Sequence, residues 1–197
     1  MKQYQADLSA GSLMLPESRV IARLLLERVT AGAWEKAIRA DNLLQKSSPA
    51  TAIRQARLIR FRLESIDRSL WPLIAEGDKE IAIQALFAAA LKHSVLLYDF
   101  MREVVADHAR RLEATLSPMA WEHFVADCSA RDPAVASWST STRHKLLQVI
   151  IRILAEARYL ETTRSLRLLP PHLNPVVVSA LKAVGESRLV QTMELDA

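Results

Sequence analysis

The sequence predicts an all-α protein: a compact multi-helix chain with helix-turn-helix-like elements and at most a short wing-like strand pair near the C-terminus. Three observations carry this. Apolar residues recur at helical spacing through most of the chain. Ser48-Pro49, Ser117-Pro118 and Asn174-Pro175 each join a capping side chain to a residue suited to the first helical position. Four glycines in 197 residues are too few for the tight turns of a sheet-rich fold.

Taken in order, Pro16 marks the first helix, over about residues 17–29, and Gly32 breaks the pattern. A second helix is expected over about 33–45, with Trp34, Ala37, Ile38 and Leu44 as its buried stripe. A turn of four or five residues leads to Ser48-Pro49 and a third helix reaching about residue 66. Trp71-Pro72 sits in a short connection, and Gly77-Asp78 opens an apolar helix over about 79–91. Further helices follow over about 94–116, from Ser117-Pro118 to about 130, and from the serines at 139–141 to about 158, with a break at Asp132-Pro133. Residues 165–169 read as a lone strand stopped by Pro170-Pro171. Asn174-Pro175 starts a last helix, to about 184, and the remainder reads as frayed. A soft boundary at 68–78 divides an N-terminal helical lobe, 1–70, from a C-terminal helical bundle, 71–197.

Composition narrows function by exclusion. Half the residues are apolar and 24% are charged, proportions that suit a globular chain and not a disordered one. The single cysteine, Cys128, builds no disulfide framework or multi-cysteine metal site, and it agrees with a reducing cytoplasm. The opening residues place Asp7 where a signal peptide would be apolar. The most apolar run, 81–91, is half the ~20 residues of a membrane span and reads as a core helix. No glycine-rich phosphate loop occurs. The five histidines never fall at the spacing of a helical zinc pair, and His123 and Cys128 point about 140° apart on a helix. Asp99, Glu103 and Asp107 form a carboxylate row that reads as a solvated face, Asp107 paired with Arg110 and Arg111. The expectation is therefore a non-enzymatic protein with no cofactor, metal or small-molecule substrate.

Charge points to a polyanion. Net charge is +4, but residues 36–68 hold eight Lys/Arg against three Asp/Glu, and 143–167 hold six against two. On a helical wheel the third helix sets Ala52, Ile53, Ala56, Ile59, Leu63 and Ile66 toward the core. The opposite arc carries Thr51, Arg54, Gln55, Arg57 and Arg62, with Leu58 and Phe61 among them, and Lys46 precedes it. Behind another helix and a turn this is a helix-turn-helix layout, in which arginine and glutamine can bond base edges in the major groove. A second candidate is the helix from Ser141 to Arg158. His144, Lys145, Gln148 and Arg152 line its polar arc, and Arg164 and Arg167 flank the expected strand as a wing would. The first ranks higher for two reasons. The wing of the second lacks a glycine turn and a clear second strand, and no acid lies between Lys46 and Arg62 whereas Glu156 shares the arc of Lys145 and Arg152. A solvated amphipathic helix with incidental charge is the plain alternative for both.

Three stretches carry a family resemblance: ADLSAGSLMLPESRVIARLLL at 6–26, NLLQKSSPATAIRQARLIRFRLE at 42–64 and RDPAVASWSTSTRHKLLQVIIRILAEARYLE at 131–161. Together they resemble the BrxA family of BREX (bacteriophage exclusion) defence systems, in order over about residues 4–185. The resemblance implies an all-helical cytoplasmic protein that binds double-stranded DNA and works beside other BREX components. It carries over no catalytic residues and no list of DNA contacts. The rivals are an RNA-binding helical adaptor of antitermination-factor type and a protein–protein scaffold.

Overall fold

In a computed structural model, residues 4–117 and 119–196 are described, and they form an all-helical fold. A short 3-10 turn, Asp7–Ala10, leads to α1 (Leu15–Leu26). Next come α2 (Ala31–Glu35), which runs into a π-helical segment, Lys36–Ala40, and α3 (Pro49–Ser65). Then α4 (Trp71–Ala75) and α5 (Lys79–His93) follow. A near-continuous rod comprises α6 (Val95–Phe100), a π segment (Met101–Val105) and α7 (Ala106–Arg110). The chain closes with α8 (Ala120–Arg131), α9 (Pro133–Ala136), α10 (Thr140–Glu156), α11 (Pro175–Ala183) and α12 (Ser187–Glu194).

The helix starts follow from local chemistry. Ser48 Oγ accepts from Thr51 N–H at 3.3 Å with Pro49 at the first helical position. Ser139 Oγ takes Thr142 N–H at 3.1 Å, and Asn174 Oδ1 takes Val176 N–H at 3.0 Å ahead of Pro175. Asp132-Pro133, expected only as a break, is itself a start: Asp132 Oδ1 accepts from Ala134 N–H at 3.0 Å. Pro118 lies outside the described residues; beside it, Ser117 Oγ accepts from Met119 N–H at 3.2 Å.

Helix α5 is the centre of the molecule. Every residue from Ala82 to Leu91 except Ile83 is buried, and Ala85, Ala88, Ala89 and Ala90 let neighbouring helices approach closely. Helices α1, α3, α4, α11 and α12 pack around it. Ser94 ends it and caps α6, and the chain bends by 108° there. Among the described residues no single helix is long and apolar enough to cross a membrane. The two lobes expected on either side of residue 70 share one hydrophobic cluster, which runs from Tyr4 to Met193.

Three expectations are corrected. The connection before α3 is eight residues, Asp41–Ser48, not four or five, because the second helix ends at Ala40. Within that connection Asn42 and Lys46 exchange two 3.0 Å hydrogen bonds. The C-terminal remainder is not frayed: α12 buries Leu189, Val190 and Met193, and Tyr159 Oη donates to Met193 O at 2.6 Å. Residues 166–168 pair on both sides, with 114–116 through Leu116 N–H to Leu166 O (2.9 Å) and with 159–161 through Glu161 N–H to Arg167 O (2.9 Å). Only isolated bridges result, so residues 165–169 are a pinned loop and not the lone strand expected, which stays within the bound of at most a short strand pair.

Candidate nucleic-acid interface

Helix α3 is buried on more of its circumference than the wheel allowed. Helices α1 and α5 cover one side, and the 3-10 turn with the segment after it covers another. Leu58 and Arg62 therefore join Ala52, Ala56, Ile59 and Leu63 inside. The exposed strip is Arg54, Arg57, Arg60, Phe61 and Glu64.

Arg62 was expected on the nucleic-acid face, and the structure places it in the core at 2% exposure. Its guanidinium donates to Ser12 O at 2.5 Å and Gly11 O at 3.0 Å. Burial lowers its pKa to about 10, while Asp7 and Glu156 oppose that shift, so the group is charged at neutral pH. Glu156 meets the same segment from the other side. It accepts from Ser12 Oγ at 2.7 Å and Leu13 N–H at 2.8 Å. Residues 11–13 are thus clasped between a cation on α3 and an anion on α10. The missed signal was the pairing of one arginine and one glutamate, each near the C-terminal end of an amphipathic helix.

The other α3 residues divide. Lys46 is half-buried and ion-paired with Glu17 of α1, so it is not a free cation. Thr51 is half-buried and takes a 2.9 Å hydrogen bond from Ser48 Oγ within the helix cap. Gln55 is half-buried, with Oε1 inside and unbonded. Arg54 and Arg57 are exposed and have no ion pair among the described residues. Arg60 pairs with Glu64 at 2.7 Å and lies 5.0 Å over the Trp34 ring.

Between α2 with its π segment and α3 runs a groove of about 450 Å³. Ile38, Ile53 and Ala56 line it with Trp34 and Phe61, and Arg57 stands at its edge. Phe61 is 51% exposed, which is unusual for a phenylalanine.

Helix α10 follows its wheel. Leu146, Val149, Ile150, Ile153 and Leu154 are buried, and His144, Lys145, Gln148 and Arg152 are exposed. The Gln148 amide donates to His144 Nε2 at 2.9 Å. Lys145 and Arg152 have no ion pair among the described residues. Glu156 is turned to Ser12 and Leu13, so it does not sit beside them as a counter-charge. In the loop beyond, Arg164 is exposed, and Arg167 stands 4.0 Å from Glu161.

The remaining polar clusters are tied up structurally. Asp99 accepts from Tyr4 Oη at 2.7 Å, and burial raises its pKa. Glu103 takes both Nη groups of Arg131, at 2.5 and 2.7 Å. Asp107 pairs with Arg111 at 3.0 Å and Arg110 at 3.7 Å, as the sequence predicted. No group of His, Cys, Asp and Glu among the described residues is arranged to hold a metal ion. Cys128 is fully buried, and burial pushes its thiol up to about 11.

The sequence matches the family model of BrxA over residues 2–185. It is 42% identical over 193 residues to a BREX protein BrxA of Paramagnetospirillum magneticum, covering 98% of this chain and 97% of that one. A BREX protein BrxA of Escherichia coli is 39% identical over 193 residues, covering 98% and 91%. A crystal structure of an uncharacterized protein from Magnetospirillum magneticum superposes with a TM-score of 0.90 at 39% identity, covering 98% of this chain and 99% of that one.

Proposed function

The chain belongs to the BrxA family of BREX phage-defence components, and from that premise we propose that it is a non-enzymatic accessory subunit that docks on double-stranded DNA. It works in the cytoplasm beside other BREX components and needs no cofactor. One observation carries the reading. Two separate helices each expose a pair of cations, Arg54 with Arg57 and Lys145 with Arg152, without an ion-pair partner among the described residues. Elsewhere Arg19 donates to Gly77 O, and Arg131, Lys46 and Lys92 are ion-paired with Glu103, Glu17 and Glu186. Exposed Arg28, Lys36, Lys79 and Arg188 also lack an ion pair among the described residues but do not stand in pairs on one helix face. Unpaired guanidinium and ammonium groups on helix faces are what phosphates neutralise, releasing counterions as they do so. Arg164 in the loop after α10 adds a further exposed cation.

The test is fluorescence anisotropy of a labelled 20-base-pair duplex titrated with the full chain at several salt concentrations. With ~4 phosphate contacts, affinity should fall by about two decades over a fourfold rise in salt, at a slope of about −0.9 per contact. A flat response, or no binding at low salt, overturns the reading in favour of a protein scaffold. Stronger binding to structured RNA than to duplex at one fixed salt would move it to an RNA adaptor.

A further inference from the structure

We propose that the groove between α2 and α3 receives an unpaired nucleobase, so that the DNA this chain prefers carries an extrahelical base or a duplex–single-strand junction. This rests on the duplex-binding reading above and adds the form of DNA recognised.

The groove, at about 450 Å³, lies within the ~300–1,000 Å³ range of small-molecule sites. Its walls hold two aromatic rings, Trp34 and the half-exposed Phe61. Trp34 has Arg60 over one face at 5.0 Å, and Phe61 stacks with the His93 ring at 6.4 Å and leaves its other face open to the groove. Keeping Phe61 half in water forgoes burial that the fold could have used, and the helix places it one turn after Arg57 on the same exposed strip. Aromatic rings beside guanidinium groups are the platform on which bases stack whatever their identity.

The charged lining suits a base that carries flanking phosphates. The rim holds Glu35 and Glu64, each already paired, with Arg39 at 3.2 Å and Arg60 at 2.7 Å. With Arg39, Arg57 and Arg60 against these two carboxylates the lining is net positive, and the paired carboxylates keep lone pairs that can accept hydrogen bonds from the amino and imino groups of a base edge. The unpaired Arg57 at the edge, with Arg54 one turn back on α3, is where the flanking phosphates belong. A base in the groove with its backbone on Arg54 and Arg57 satisfies both halves of the site.

The experiment compares a blunt 20-base-pair duplex with the same duplex bearing one extrahelical 2-aminopurine, using the full chain at fixed salt. The wild type should bind the second at least about fivefold tighter, the lower end of what base–aromatic stacking contributes, and the 2-aminopurine fluorescence should be quenched. Phe61→Ala and Phe61→Leu should both abolish the preference while leaving blunt-duplex affinity unchanged, and Phe61→Tyr should retain it. Phe61→Leu and Phe61→Tyr keep a side chain of similar size on this half-exposed site and should hold the wild-type unfolding temperature, whereas Phe61→Ala also gives up the contact with His93. Equal affinity for both duplexes with unquenched 2-aminopurine overturns the proposal while leaving duplex binding intact. A preference that survives Phe61→Leu removes the base from this groove and leaves it to an apolar protein segment. Failure to bind either duplex overturns both readings together.

Discussion

Arg62 has the burial of a core leucine and the charge of a surface residue, and its energetics follow from that combination. A buried guanidinium is tolerated only where its hydrogen bonds are made and a counter-charge is near. Gly11 O and Ser12 O supply the first, and Glu156 and Asp7 the second. Arg62→Ala should therefore destabilise the fold by ~3 kcal/mol or more, because it leaves two carbonyls without their donor and two nearby carboxylates, Asp7 and Glu156, without this cation, and opens a cavity. Thermal unfolding measures this; a loss below about 0.5 kcal/mol, the level of an ordinary surface substitution, would show that the clasp contributes little. Cys128 gives a second test at this scale. With its thiol pushed up to about 11, thiolate appears only as pH rises toward that value, so alkylation of the native protein at pH 8 should be far slower than in denaturant. Comparable rates in the two conditions would place the thiol at the surface. The sequence made Cys128 legible as a thiol without a catalytic base, since His123 points about 140° away from it on a helix. It did not make Arg62 legible. A wheel assigns faces from polarity, and an arginine satisfied by main-chain carbonyls fifty residues away leaves no mark on that pattern.

At the scale of elements, capping chemistry was the dependable signal, because a cap is local: Ser48-Pro49, Ser139 and Asn174-Pro175 each begin a helix where the residues say. What depended on distant packing was not readable. Helix α12 is short and starts without a side-chain cap, and it exists because Leu189, Val190 and Met193 find α5 and Tyr159 to pack on. The same dependence rearranged the basic helices. Lys46 and Arg62 leave the α3 set, and Glu156 leaves the polar arc of α10. Of the two reasons that ranked α3 above α10 in the sequence, the offset by Glu156 is gone, and the incomplete wing after α10 remains. Each helix now offers two unpaired cations. We predict that Arg54→Ala with Arg57→Ala and Lys145→Ala with Arg152→Ala each reduce the salt slope of duplex binding by about two units, one per lost contact. Both double variants should stay folded, since the side chains are exposed and alanine favours helix. A slope that changes in only one variant would assign the interface to that helix alone.

For the molecule as a whole, the all-helical architecture was legible, because few glycines, recurring caps and helical periodicity agree with one another. The relation between the halves was not. A soft boundary near residue 70 was inferred from Trp71-Pro72 and Gly77-Asp78, features that mark a change of direction without saying what the next segment packs on. In the structure the chain crosses that boundary repeatedly. Arg19 of α1 donates to Gly77 O at 2.6 Å, and Trp71 Nε1 donates to Leu63 O at 2.8 Å. Farther along, Tyr4 N–H reaches Asp132 Oδ2 at 3.1 Å, and Glu156 holds Ser12 and Leu13. Buried side chains on both sides of residue 70 belong to one cluster around α5. Two lobes that share a core cannot lose it separately, since unfolding either one exposes the apolar face of the other. Urea denaturation followed by far-ultraviolet circular dichroism and by tryptophan fluorescence should therefore give a single transition with coincident midpoints. The two probes differ usefully. Helical signal reports the entire chain, whereas two of the four tryptophans, Trp34 and Trp71, lie near the α2–α3 side and the other two, Trp121 and Trp138, beyond residue 78. Separate midpoints would mean that the clasp on residues 11–13 releases before the core does, and the N-terminal lobe would then be an independent folding unit.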